Sequence, residues 1–247
     1  MPTPTSKSLP PMAPEDRPQT IVAVGASAGG LEALRDMLAV AKPPTHLAFV
    51  VVQHLDPTHE SMLAQLLNRT TVLDVLQCEG GEDIHADRVY IIPPGRGLAI
   101  HNGRLQLTDF TQPRGLRRPI DDFFASLARD RKANAACVIL SGTGADGSMG
   151  LRVIKENGGI CIAQEPSTAR YDGMPSAAIG SGLVDFIKPP GEIIDCLKSF
   201  FERQNLDSPA RTISLTSDYI DNIGTILKKT VGHAFSQYKR SPFIRLV

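Results

Sequence analysis

Three short stretches of this chain are apolar without interruption, and each runs into a sharp turn. They are residues 21–24 (Ile-Val-Ala-Val), 47–52 (Leu-Ala-Phe-Val-Val-Val) and 135–140 (Ala-Ala-Cys-Val-Ile-Leu). Their β-branched content suits extended backbone, and runs this short read as strands rather than helices. A strand that is apolar at every position, instead of at alternate ones, is covered on both faces. That pattern belongs to a parallel sheet between layers of helix. After the first run, Leu31, Leu34, Met37 and Leu38 recur at helical spacing, and Lys42-Pro43-Pro44 stops the helix.

The rest of the chain continues the alternation. A helix is expected after Pro57, with Met62, Leu63, Leu66 and Leu67 on its apolar side. Strands follow at 72–76 and 89–92, and then a hairpin over 98–107 around Asn102-Gly103, a dipeptide that favours tight β-turns. A basic loop holding Arg114, Arg117 and Arg118 leads through Pro119 into a helix with Ile120, Phe123, Phe124 and Leu127 inward. Beyond the strand at 135–140 come a helix over 151–157, strands at 160–163 and 184–187, and a helix over 192–201. Strand–helix alternation with right-handed crossovers predicts an α/β fold: a doubly wound, mostly parallel sheet with flanking helices and a β-hairpin insertion. The proline-rich residues 1–19 read as a disordered leader, 20–204 as the folded domain, and 205–247 as a linker and helical tail.

Composition narrows the function. Of 247 residues 42% are hydrophobic, enough for a sizeable core; Lys plus Arg and Asp plus Glu both number 26. The balance favours neither nucleic acid nor an anionic membrane as partner. No apolar run approaches the length of a membrane span, and the N-terminus lacks the apolar core of a signal peptide, so a cytoplasmic protein without membrane insertion is expected. Cys78, Cys137, Cys161 and Cys196 form no C-x-x-C pair and read as reduced thiols. Neither metal nor cofactor is expected from the pattern.

The turn after the first strand, Gly25-Ala26-Ser27-Ala28-Gly29-Gly30, matches the G-x-S-x-G elbow. Three readings are open to it: an exposed nucleophile, a phosphate-binding loop, or a plain turn. Its partners decide between them. His54 follows the second strand and Asp146 the third, so both share with Ser27 the carboxyl edge of the sheet, where ligands bind in such folds. A hydroxyl, an imidazole and a carboxylate are the nucleophile, base and orienting group of acyl transfer. The chain order Ser…His…Asp argues against an α/β-hydrolase, whose histidine comes last.

The Gly25–Gly30 turn, Gln53-His54, Arg118-Pro119-Ile120-Asp121, the turn from Ser141 to Gly147 and Gly173-Met174-Pro175 together resemble the chemotaxis protein-glutamate methylesterase family. The resemblance implies hydrolysis of glutamyl γ-methyl esters on the cytoplasmic region of chemoreceptors, releasing methanol, and the same mechanism permits glutamine deamidation. It places the family's catalytic residues on Ser27, His54 and Asp146. The N–H groups of Ala28 and Thr143 are then the oxyanion candidates, with Arg117, Arg118 and Met174 on the substrate side. Thr143 departs from the methionine common in the family. Family members usually carry a receiver domain first; none is read before the first strand, so a receiver in trans is a candidate partner. The basic tail resembles the opening of the chemoreceptor methyltransferase family's N-terminal domain, which implies a methyltransferase domain in the same full-length chain. The alternative is a nucleotide-binding or non-catalytic signalling module built on the Gly25–Gly30 turn.

Overall fold

The computed structural model describes residue 18 and residues 20–54, 62–113 and 115–206. The leader, Arg114 and the tail beyond 206 lie outside the described residues, as does the start of the helix expected after Pro57. The chain divides into two compact units, Met1–Leu197 and Lys198–Val247. The site described below lies in the first.

The three apolar runs become β1 (Thr20–Ala26), β2 (Leu47–Gln53) and β7 (Ala135–Ile139). With β3 (Asp74–Gln77), β4 (Arg88–Ile91), β8 (Ile160–Gln164) and β9 (Phe186–Lys188) they form a seven-stranded sheet in the order β3-β4-β2-β1-β7-β8-β9. Every pairing in it is parallel. β1 is central, with β2 on one side and β7 on the other. The chain therefore leaves β1 in one direction and later returns to build outward in the other, which opens a crevice at the carboxyl end of β1.

Both faces of the centre are sealed. Ile21, Ala23, Val50, Val52, Cys137 and Ile139 pack in one cluster with Phe123, Phe124 and Leu127 of α3 (Pro119–Arg131). The alternate residues Val22, Val24, Phe49 and Val51 are equally buried, as period-two alternation requires. Helices α1 (Gly30–Ala39), α4 (Ser148–Glu156), α5 (Gly173–Gly180) and α6 (Pro190–Leu206) complete the set with the short α2 (Leu63–Asn68). The hairpin is β5 (Gly97–His101) with β6 (Arg104–Thr108), turned by Asn102 and Gly103, both at positive φ. It is fastened to α3: Ile100 N–H donates to Ser126 Oγ at 3.2 Å and Gly103 N–H to the Asp130 carboxylate.

Some expectations are corrected. Met62 and Leu66 are 60% and 37% exposed; only Leu63 and Leu67, one turn apart, face inward. A helix this short presents a single turn, so its buried stripe is narrow. α4 starts three residues before the expected 151, because the Asp121 carboxylate meets its first turn at Gly150 N–H. The last strand begins at Phe186 rather than 184, since Asp185 turns its carboxylate back onto Cys161 N–H at 2.8 Å. α5 went unread because glycine at both ends and Pro175 inside it mask a helix; proline is tolerated there because first-turn N–H groups have no partner within the helix. Cys137 and Cys161, in register on β7 and β8, are buried free thiols.

Phe124 fills the seam between α3 and α4, where a side chain at Gly150 would meet its Cβ at 2.6 Å. Phe124→Ala should lower the unfolding free energy by about 3–5 kcal/mol, the usual loss for a fully buried phenylalanine. Urea denaturation measures this; a loss below about 1 kcal/mol would show that α4 closes onto the gap.

Candidate active site

Ser27 occupies the turn between β1 and α1. Its N–H donates to Ser141 O at 3.0 Å, and its carbonyl accepts Gly30 N–H at 2.9 Å. Gly29 takes a left-handed conformation, φ 70°, and a Cβ there would stand 2.7 Å from Ser141 Oγ and 2.9 Å from Arg170 Cβ. Any larger residue would push the β7 and β8 loops off the serine. Those loops are tied by Ser141. Its N–H donates to Gln164 Oε1 at 2.8 Å, its hydroxyl donates to Ala28 O at 2.9 Å, and it accepts Tyr171 N–H at 3.0 Å. Gly25, in β1, lets α3 come close: a Cβ on it would be 2.5 Å from Ile120 Cγ2. The N-terminus of α3 thus sits beside the end of β1.

His54 projects from the end of β2. Its Nδ1 is 3.1 Å from Ser27 Oγ and its Nε2 is 2.8 Å from Asp146 Oδ2. An ionised carboxylate only accepts, so Nε2 carries the proton and the Nδ1 lone pair faces the serine hydroxyl. That is the tautomer a base needs. The histidine side chain is 36% exposed and that of Asp146 only 7%.

Asp146 lies in the turn after β7, and the N-terminus of α3 holds it. Oδ2 accepts Ile120 N–H at 3.2 Å and Oδ1 accepts Asp121 N–H at 3.1 Å. Both donors belong to the first turn, where helical N–H groups lack partners and the helix dipole is positive. Burial works against this carboxylate, but the His54 hydrogen bond and the two backbone donors outweigh it and hold its pKa below the usual carboxylate range.

The structure brings Ser27, His54 and Asp146 together as the sequence predicts. The N–H groups of Ala28 and Thr143 have no hydrogen-bond partner among the described residues. The substrate-side candidates diverge. Arg118 stands at the N-cap position of α3 without a side-chain cap hydrogen bond, and its half-exposed side chain lies 3.6 Å from Asp121. Arg117 turns the other way, donating to Gln112 O at 2.9 Å and stacking 4.5 Å from the Phe110 ring. Met174 is fully buried, its sulfur against Gly142, so it supports the Ser141–Gly142 turn from below and does not face solvent. Sequence reasoning gave no role to Ser141, Asp121 or the exposed Arg170–Tyr171 pair. For Asp121 a signal was present: two acids behind a proline mark a helix N-terminus.

Fold and site together define a parallel α/β domain carrying a hydrogen-bonded serine–histidine–aspartate set at its topological switch point. Residues 22–197 match the family described as CheB methylesterase, and the chain belongs to that family. It is 36% identical over 178 residues to protein-glutamate methylesterase/protein-glutamine glutaminase 2 of Anaeromyxobacter dehalogenans, covering 72% of this chain and 52% of the relative. The corresponding protein of Geobacillus kaustophilus is 38% identical, with 69% and 50% covered. The chain thus spans about half the length of these curated relatives. The crystal structure of the Thermotoga maritima CheB methylesterase catalytic domain superposes with a TM-score of 0.66 at 32% identity, covering 73% of this chain and 98% of that one.

The lowered Asp146 pKa makes a pH prediction. The folded state binds this proton less tightly than the unfolded chain, so the stabilisation is present above the ordinary carboxyl range and is lost as pH falls through the folded value. The stability difference between wild type and Asp146→Asn should therefore shrink between about pH 6 and about pH 3. Urea denaturation at both pH values measures it; an unchanged difference would contradict the lowered pKa.

Proposed function

We propose that this domain is a serine-dependent protein-glutamate methylesterase acting on the methylated cytoplasmic region of a chemoreceptor, within a chemotaxis-type signalling system. The observation that carries the reading is the relay from Ser27 Oγ through His54 to buried Asp146, at 3.1 and 2.8 Å. Family membership supplies the substrate class.

In this reading Ser27 Oγ attacks the γ-carbonyl carbon of the ester as His54 Nδ1 takes its proton. Asp146 fixes the ring and stabilises the imidazolium. The N–H groups of Ala28 and Thr143 hold the oxyanion. Collapse expels methoxide, which leaves as methanol with the proton from His54. Water, deprotonated by the same nitrogen, then releases the glutamate carboxylate and restores Ser27. A glutamine side chain enters the same path with ammonia as leaving group. No step of this path calls on a metal or cofactor. The Gly25–Gly30 turn lacks the G-x-G-x-x-G spacing of a dinucleotide site, which disfavours the nucleotide-binding alternative.

The proposed place of action is the cytoplasm, where the receptor's methylated region lies; no helix among the described residues is long and apolar enough to cross a membrane. A methyltransferase domain in the same full-length chain and a receiver in trans complete the proposed partners.

Ser27→Ala and His54→Ala should each reduce methanol release from methyl-labelled receptor membranes on the order of 10⁴-fold or more, with the double variant little worse. Activity of Ser27→Ala within tenfold of wild type would remove the nucleophile assignment. Arg118, half-exposed at the N-cap of α3, should meet the acidic surface of the substrate. Arg118→Gln should raise KM for the receptor several-fold, leave a small neutral ester nearly unaffected, and weaken the salt dependence of the receptor reaction. Equal losses on both substrates would place Arg118 in the framework instead.

A further inference from the structure

The site contains a second buried acid that the chemistry above does not use. Asp121, in the first turn of α3, is 8% exposed. Its N–H donates to Asp146 Oδ1 at 3.1 Å, and its own Oδ1 accepts Gly150 N–H at 2.7 Å. The capping is reciprocal: Asp146, from the turn before α4, caps α3, and Asp121, from α3, caps α4. Asp121 Oδ2 has no hydrogen-bond partner, and the only ion pair recorded for it among the described residues is the 3.6 Å approach of Arg118 Nη1. Burial pushes this carboxyl up to about 6; Gly150 N–H opposes the shift, the charge of Asp146 adds to it, and Arg118 opposes it weakly. Its neighbour Asp122 is raised by burial and then by Asp146. The charged groups around Asp121 are therefore Asp146 from the turn before α4, Arg118 from the N-cap of α3, Asp122 from α3 itself, and His54, which reaches it only through Asp146, from the end of β2.

A cap alone does not call for this arrangement. Asparagine or serine would accept the Gly150 N–H without a charge, whereas a second carboxylate buried beside the first is unfavourable. The charge is useful where a cation forms, and the cation of this site is the His54 imidazolium on Asp146. We propose, resting on the hydrolase reading, that Asp121 is a positioning residue that acts through Asp146. It locks the Asp146 turn against α3 and α4, and its negative charge stabilises the His54 imidazolium formed as Ser27 attacks.

The test compares wild type with Asp121→Asn, and with Asp121→Ser as a second uncharged cap. NMR titration of the His54 imidazole needs no turnover. Both variants should titrate lower than wild type, by about 0.5–1 pH unit, as expected for removing one partly screened charge. On a small glutamyl methyl ester kcat should fall about tenfold with KM little changed. Their unfolding midpoints in urea at pH 8 should be no lower than that of wild type, because the unfavourable buried charge is gone. A purely structural cap would leave both the His54 titration and kcat where they are in wild type, whatever the midpoints. That result, in whichever variant folds, would overturn the proposal. Should wild type hydrolyse no glutamyl ester at all, the proposed function would fail while the titration still decides the role of Asp121.

Discussion

The carboxylate of Asp146 binds three parts of the chain that are distant in sequence. It accepts from the His54 ring at the end of β2 and from two backbone N–H groups at the start of α3, while belonging itself to the turn after β7. A buried carboxylate is unfavourable unless its lone pairs are filled by good donors. Here the donors are those a helix N-terminus leaves free, and the helix dipole adds to them. The position of α3 on the sheet thus determines where the acid can be ionised, and the acid determines where His54 can stand. Gly25 is part of the same arrangement, since it lets Ile120 approach β1 closely.

The sheet order explains why a serine, a histidine and an aspartate in that chain order meet. β1 lies between β2 and β7, so the Ser27 turn has His54 on one side and the Asp146 turn on the other. The acid reaches across toward the base because the N-terminus of α3 draws it there. The same residues on an α/β-hydrolase sheet would follow another order, because there the base is delivered by a later strand. Geometry at one edge of the sheet is shared; the route of the chain to it is not.

The parts legible in the sequence were those with a local period or a local turn. Uninterrupted apolar runs announced β1, β2 and β7, and Asn102-Gly103 announced the hairpin. Ser27, His54 and Asp146 were legible because each follows such a run directly. What escaped depends on contacts between elements. Nothing near Met62 says that α2 buries only Leu63 and Leu67. Nothing near Met174 says that its sulfur will fill the space that Gly142 leaves, beneath the site. Ser141 reads as one more small residue in a glycine-rich turn, although its hydroxyl and N–H join three loops. The exchange of caps between Asp121 and Asp146 spans two helices, and no spacing along the chain encodes it.

Chemistry and architecture are unequally divided among the three central residues. Ser27 and His54 are partly open to solvent, and their side chains bond chiefly to each other and to Asp146. The fold around Ser27 is held by backbone groups and by Ser141, so the Ser27 side chain is nearly free of structural duty. Asp146 is different: removing its carboxylate frees the His54 ring and leaves two first-turn N–H groups of α3 unanswered in a buried setting. Under the proposed mechanism, a loss of activity at Asp146 would mix a lost orienting charge with a loosened helix terminus, whereas losses at Ser27 and His54 would report on the reaction itself. The buried part of the site is the one that carries Asp146, and the solvent-facing part is the one that the proposed mechanism asks to move the proton.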